Sequence, residues 1–325
     1  MQNPVWTLAS YGQLAITLEA SAPKPGNVNR LKRFSDTGYR HFLASAALVS
    51  RGYYLAALRG KQLADGLIEP ENVRIGAIIR ECISDVFTNL NRSNAIFGTI
   101  LLHIPLIISA STMIGLDSDF SIACYEEQMK RIIDTGSVED SIDLYHAFRI
   151  ASPRGDLDNL SDFWKEEHDR YDICNPNVFE NIKEDGMTLP KLFKIASDVD
   201  DISKEWITYY HQTFHETLPY LDNLSDSLEN LEEAVVRTFV WRLSQHPDGL
   251  IVKKAGTKAA ARVMDIAKSI IDADERSLSE MDLLDKLDND LRENGNLLNP
   301  GTTADLISAA IFCKLVKDDI TKTKG

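Results

Sequence analysis

Cysteine is scarce: the 325 residues hold four, at 82, 124, 174 and 313, and no two form a CxxC pair. That absence excludes the common zinc and dithiol motifs and marks the four as reduced residues of the core or its boundary. Positive charge is also short, with 35 Lys and Arg against 49 Asp and Glu for a net charge of −14. Such a chain is not expected to bind nucleic acid or an anionic membrane, and an anionic substrate would need a local basic pocket. Met1-Gln2-Asn3-Pro4 lacks the basic segment and apolar run of a signal peptide. The longest apolar stretch, Ala95 to Ala110, is interrupted by Thr99, His103, Pro105 and Ser109 and is read as too short to span a bilayer. The expected location is the cytoplasm. Alternating β-branched runs, the mark of a half-buried strand, are missing as well.

What remains is helical. With 44% hydrophobic and 26% charged residues the composition is that of a globular protein, in one large domain or two by length alone. Apolar positions recur at helical spacing over Leu8–Ala20, with Pro23 ending the element. Asp36-Thr37 is read as capping a helix from Gly38 to Leu58, followed by helices over Arg74–Leu90 and Ile96–Met113. The last of these is apolar nearly all round, hence central, and Pro105 is expected to bend it. Further helices are expected at Ser118–Thr135 and at Val138–Ile150, the second opened by a capping box of Ser137 with Asp140. A polar, loop-rich stretch at 156–190 reads as a lid or insertion. Helices resume at Leu192–Thr217, Asp226–Gln245 and Lys254–Ile271. Another, capped by Ser277 and Glu280, runs to Leu291 and ends near Asn294-Gly295, and the last covers Ala304–Val316. The fold class is all-α, a single large bundle-like domain.

Chemistry concentrates first in Ser21-Ala22-Pro23-Lys24-Pro25-Gly26-Asn27-Val28-Asn29-Arg30. Two prolines fix φ around a lysine and a glycine frees the next step, so a stiff loop presents one ammonium, two amides and one guanidinium suited to phosphate or ribose. An ordinary turn with solvated charges explains the same residues about equally well. Asn94, in Asn91-Arg92-Ser93-Asn94, could meet an anion at a helix start, though an N-cap is the commoner role. Asp201 and Glu205 share a helix face as metal carboxylates must, but Lys204 beside them favours a solvated charged face. Asp248-Gly249 with Lys253-Lys254-Ala255-Gly256 joins a carboxylate to two cations, and Asn299-Pro300-Gly301-Thr302-Thr303-Ala304-Asp305 is a second rigid turn feeding a helix. His211 and His215 have two-histidine metal spacing without a third ligand in sequence, and His168-Asp169 is a dipeptide found in helical metal phosphohydrolases, placed here in the polar insertion.

In this order the segments Pro23 to Arg30, Asp36, Asn94 to Gly98, Asp248 with Lys254 and Gly256, and Asn299-Pro300-Gly301 through Asp305-Leu306 resemble the triphosphoribosyl-dephospho-CoA synthase family, over nearly the whole chain. The resemblance implies an all-α enzyme that joins ATP to dephospho-CoA with loss of adenine. A ribose hydroxyl of the acceptor attacks the anomeric carbon of ATP through a transition state of oxocarbenium character. It implies phosphate contacts from Lys24, Gly26, Arg30, Lys254 and Gly301, and orientation of ribose or phosphate oxygens by Asn27, Asn29 and Asn94. Asp36, Asp248 and Asp305 are implied as catalytic or Mg²⁺-binding carboxylates. Arg92-Ser93-Asn94-Ala95-Ile96 keeps one asparagine where the family carries further polar groups, and Pro153-Arg154-Gly155 stands for its Gly-Gly. The Lys-Pro-Gly-Asn-Val form belongs with a branch far from the citrate-lyase enzymes. A different cofactor-type acceptor, a nucleotide-binding homologue without catalysis, and a metal-dependent phosphohydrolase are therefore the alternatives to dephospho-CoA transfer.

Overall fold

A computed structural model describes residues 3–88, 91, 95–151, 169–228, 230–273 and 280–324. Asn3 opens the first helix, α1 (Pro4–Ser21), by accepting the Trp6 amide at 3.2 Å, and Pro4 occupies the first helical position. The stretch expected to form one helix from Gly38 is two, α2 (Tyr39–Leu48) and α3 (Ser50–Ala64). The cap is Gly38, whose amide donates to His41 Nδ1 at 2.9 Å, rather than Asp36-Thr37. The bend at Val49 lays the glycine face of α3 on its neighbours. A Cβ at Gly52 would stand 2.2 Å from Cys82 Sγ, and one at Gly60 2.2 Å from the Ile108 carbonyl.

α4 (Ile75–Val86) stops short of Leu90, and α5 (Phe97–Gly115) is the axis of the molecule, buried without interruption from Thr99 to Met113. It is long and apolar enough to cross a membrane, yet it lies mostly inside the bundle. Helix α5 runs through Pro105 as one element. Proline has no amide to give the Leu101 carbonyl. The Tyr210 hydroxyl fills that gap, donating to the Leu101 and Leu102 carbonyls at 3.3 and 3.0 Å.

α6 (Ile122–Asp134) starts at a Ser121 cap, and α7 (Val138–Ala151) carries the expected capping box. The Ser137 amide donates to Asp140 Oδ2 at 2.9 Å and the Asp140 amide to Ser137 Oγ at 3.2 Å. Of the 156–190 insertion, residues 156–168, with Trp164 and His168, lie outside the described residues, as does Pro153-Arg154-Gly155. In the remainder, α8 (Val178–Glu184) and Met187 after it bring Val178, Ile182 and Met187 into a second small apolar cluster with Tyr145 and Leu192.

The long helix expected over Leu192–Thr217 is broken into α9 (Leu189–Ala196), α10 (Asp201–Ile207) and a π turn at Thr213–Thr217. A buried carboxylate causes the break. Glu205 accepts the Gln212 and Thr213 amides at 2.9 and 3.0 Å, and Tyr209 and Tyr210 take left-handed φ values of 52° and 67° to bring the chain round. The solvated face expected of Asp201 and Glu205 is therefore absent: Glu205 is fully buried and Asp201 pairs with buried Arg242 at 3.4 Å.

The helix expected over Asp226–Gln245 is α12 (Leu231–Gln245), capped by Asn230, and α11 (Leu218–Ser227) precedes it where no helix was expected. Gly256, at φ +85°, separates α13 (Gly249–Ala255) from α14 (Thr257–Ile271). α15 (Glu280–Arg292) ends before Gly295 as expected, while Ser277, its expected cap, lies outside the described residues. α16 (Gly301–Lys324) is longer than the periodicity suggested. Helices α1, α3, α4, α6 and α16 surround α5, and one contiguous apolar core links them to α12 and α14. Among the described residues there is no strand, in agreement with the all-α expectation.

Candidate active site

The Pro-Lys-Pro-Gly loop faces inward, contrary to the solvated turn its charges allowed. Lys24 is fully buried and forms an ion pair with Glu19 Oε1 at 2.9 Å, also donating to the Glu19 carbonyl. Burial pushes Lys24 below its ordinary pKa and Glu19 above its own, and each partner's charge pulls the other back. Asn29 builds the loop: its Oδ1 accepts the Leu31 and Lys32 amides, both at 2.9 Å, and its amide donates to the Lys24 and Asn27 carbonyls. Gly26, at φ +70°, donates its amide to Asp288 Oδ1 at 2.7 Å, and a Cβ there would stand 2.4 Å from Leu291 Cδ1. Only glycine allows both.

Asn27 ties this loop to the second rigid turn, donating to Asn299 Oδ1 at 2.8 Å. Beyond that turn, the N-termini of α13 and α16 meet at one carboxylate. Asp248 Oδ1 accepts the Leu250 and Ile251 amides at 2.9 and 3.0 Å, and Oδ2 accepts the Thr303 amide and hydroxyl at 2.7 and 2.8 Å. Four donors fill its acceptor sites. Burial raises its pKa to about 6 against the pull of the Thr303 and Ile251 donors, with Asp201 adding to the rise. Gly301 belongs to the same junction, for a Cβ on it would lie 2.6 Å from Leu250 Cδ2. Lys254 donates to the Asn296 carbonyl at 3.2 Å.

Asp305 lies one turn into α16 and faces the start of α5. Ile96, at the N-cap of α5, makes no side-chain cap, and Asp305 reaches the first turn of that helix from α16, accepting the Thr99 hydroxyl. Its Oδ2 rests where a Cβ on Gly98 would be, 2.1 Å from that position. Burial pushes the Asp305 pKa well above the carboxylate range, opposed by Thr99 through side chain and backbone and reinforced by the charges of Glu19 and Asp248. The residue nevertheless keeps part of its surface open. Glu19 and Asp248 stand close enough to act on it.

Most motifs found in the sequence thus converge: Lys24 to Asn29, Gly98, Asp248, Lys254, and Asn299 to Asp305. Arg30 turns outward, half-exposed, to pair with Glu232 on α12 and to donate to the Ser21 carbonyl at 3.0 Å. Asp36 is exposed at the rim and accepts from Asn296 at 3.1 Å. Asn94 lies outside the described residues. His211 and His215 have rings 4.8 Å apart, and His215 meets Glu126 at 2.6 Å. Among the described residues no group of three His, Cys, Asp or Glu side chains is placed to hold a metal ion.

Sequence reasoning missed Glu19, Thr99 and Asp288 as contributors, and had Asn299 and Thr303 only as members of the second rigid turn. Glu19 had a signal, being the one charged residue in α1. Asp288 had none, since a pair with Arg292 four residues on reads as an ordinary surface bridge.

The profile of a family described as ATP:dephospho-CoA triphosphoribosyl transferase matches residues 5–324. None of the curated proteins matches the chain. Among solved structures, a crystal structure assigned as a triphosphoribosyl-dephospho-CoA synthase from Archaeoglobus fulgidus is similar, with a TM-score of 0.58 and 23% identity over 85% of this chain and 98% of that one. At that identity the likeness is one of fold.

Proposed function

The chain belongs to the ATP:dephospho-CoA triphosphoribosyl transferase family, and from that premise we propose how its site carries out the transfer. ATP is the triphosphoribosyl donor, dephospho-CoA the acceptor, and adenine the leaving group. The reaction forms a bond from an acceptor ribose oxygen to the anomeric carbon of ATP, breaks the bond from that carbon to adenine, and sets free the hydroxyl proton. A carboxylate takes that proton, and the departing adenine gains one from that carboxyl group or from solvent, so that it leaves as a neutral base and the protons balance.

The observation that carries the assignment is the position of Asp305, a partly exposed residue within electrostatic reach of Glu19 and over the bare backbone of Gly98. Asp305 takes the hydroxyl proton; its raised pKa makes it a stronger base than an exposed carboxylate. Burial sets that pKa and the charge of Glu19 adds to it, while Lys24 pairs with Glu19. Asn27, the Gly26 and Gly301 turns, Lys254 and, from the rim, Arg30 hold phosphate or ribose oxygens, with Asn94 assigned to the same task by its motif. Asn29 shapes the loop that carries them. Asp248, its acceptor sites filled, positions α13 and α16 rather than taking a proton or a metal.

Mg²⁺ is proposed to arrive on the triphosphate and to neutralise phosphate charge there. Such an ion keeps several waters and needs only one or two carboxylates. Asp36, exposed at the rim, would supply one of those without the closed cage that is absent among the described residues. The chain works as one domain, in the cytoplasm.

Adenine release from ATP by the purified protein with Mg²⁺, followed by chromatography and mass, tests the reading. Adenine that depends on dephospho-CoA, with a product of the adduct's mass, is the expected result. Phosphate release without adenine would replace it with a phosphohydrolase, and ATP binding without any product with a non-catalytic homologue.

A further inference from the structure

Helix α15 reaches back over the Pro-Lys-Pro-Gly loop with its last turn, and the contact it makes there is incomplete. Asp288 accepts three donors: the Gly26 amide at 2.7 Å, Lys32 Nζ at 2.7 Å and Arg292 Nε at 2.8 Å. Burial alone would raise its pKa, but Lys32 and Arg292 outweigh it and hold the carboxyl below the ordinary range, so it stays ionised. Arg292 then crosses to the loop, donating through one terminal nitrogen to the Asn27 carbonyl and lying 5.0 Å from the centre of the Phe34 ring. Its other terminal nitrogen, Nη1, is buried and has no hydrogen-bond partner. Asn27 Oδ1 is in the same condition, on a side chain only 3% exposed.

A buried guanidinium N–H left unpaired costs free energy unless a guest completes it. The guest that suits a forked, ring-stacked guanidinium is a phosphate oxygen. Another orphaned guanidinium nitrogen, Arg242 Nε, sits on a side chain 1% exposed beside Gln212 and Asp201, sealed from anything larger than water. Arg292 differs, because its side chain is 15% exposed and stands at the edge of the loop. Lys32, Lys24 and Lys254 give the same neighbourhood positive charge in a chain whose net charge is −14.

We infer that Arg292 is a triphosphate-binding residue, reaching the donor's phosphates from α15 through the nitrogen that lacks a partner. Lys32 shares the same carboxylate and is the second cation of this clamp. Asp288 is the positioning residue that aims both. The inference rests on the transferase reading for the nature of the ligand.

Inorganic tripolyphosphate and ATP, titrated calorimetrically into wild type, R292K and R292Q, test it together with melting temperatures. A charge-assisted bond lost from a partly buried site weakens binding by roughly tenfold to a hundredfold. R292Q should lose that much affinity for both anions, R292K less, while KM for dephospho-CoA stays unchanged. Equal anion affinity in R292Q with a lowered melting temperature would mean that Arg292 only ties the loop, and would overturn the inference. A wild-type structure with tripolyphosphate serves if R292Q fails to fold. A phosphate oxygen within hydrogen-bond distance of Nη1 supports the assignment, and an ordered water there instead overturns it. Failure of the wild type to bind ATP at all would count against the transferase reading, whereas wild-type binding undiminished in R292Q counts against Arg292 alone.

Discussion

Asp248 and Asp305 belong to two regions of the same site, and they are the same residue in different circumstances. At the Asp248 junction four donors from two helix N-termini fill the carboxylate, and the residue is 1% exposed. At Asp305 the carboxyl group has Thr99 on one oxygen and bare glycine backbone under the other, and the residue keeps part of its surface open. Both are raised in pKa by burial. A carboxylate whose lone pairs are filled stabilises the fold, while one held ready at an opening can exchange a proton. Burial alone does not tell the two apart; hydrogen-bond completeness and access do.

The comparison breaks most directly at Asp305→Asn. With the general base removed, kcat should fall by about 10²–10⁴, with ATP affinity and melting temperature nearly unchanged. An active D305N enzyme would move the base elsewhere. Gly98→Ala comes next, because its Cβ would stand 2.1 Å from Asp305 Oδ2 and must displace the carboxyl. An expected loss of about 10² in kcat should accompany little or no loss of stability, since alanine favours the helix more than glycine does.

Asp248→Ala should show the opposite pattern. It strips the caps from α13 and α16 and should cost about 2–4 kcal/mol in denaturant unfolding, with any folded protein retaining measurable turnover. A D248A enzyme that is stable but inactive would reverse the roles of the two aspartates.

The smallest effect is on pH dependence. A base with a raised pKa loses activity as acid protonates it, so the acid limb of kcat/KM should lie above the ordinary carboxylate range. Glu19 contributes to that rise. Glu19→Gln should therefore move the limb to lower pH, and a limb that stays in place would remove Glu19 from the site's electrostatics.

Much of this was legible beforehand. The prolines around Lys24, the Ser137 box and the Pro-Gly turn before α16 are local devices, each acting over about four residues. Illegible were the inward turn of Lys24, whose pairing with Glu19 no local rule foretells, and the fragmentation of 192–217. Periodicity passed smoothly through that segment, while Glu205 was folding back on amides seven and eight residues ahead.

The amino-acid sequence by itself determined that the chain is helical, where its rigid turns lie, and which family of motifs they compose, because caps, prolines and apolar spacing act through neighbours in the chain. The tertiary structure decided which aspartate is saturated and which is open, that Glu19 and Gly98 belong beneath the chemistry, and that Arg292 reaches the loop from 265 residues away. Charge, solvation and hydrogen-bond completeness are set by whatever stands within a few ångströms. Only folding brings those groups together.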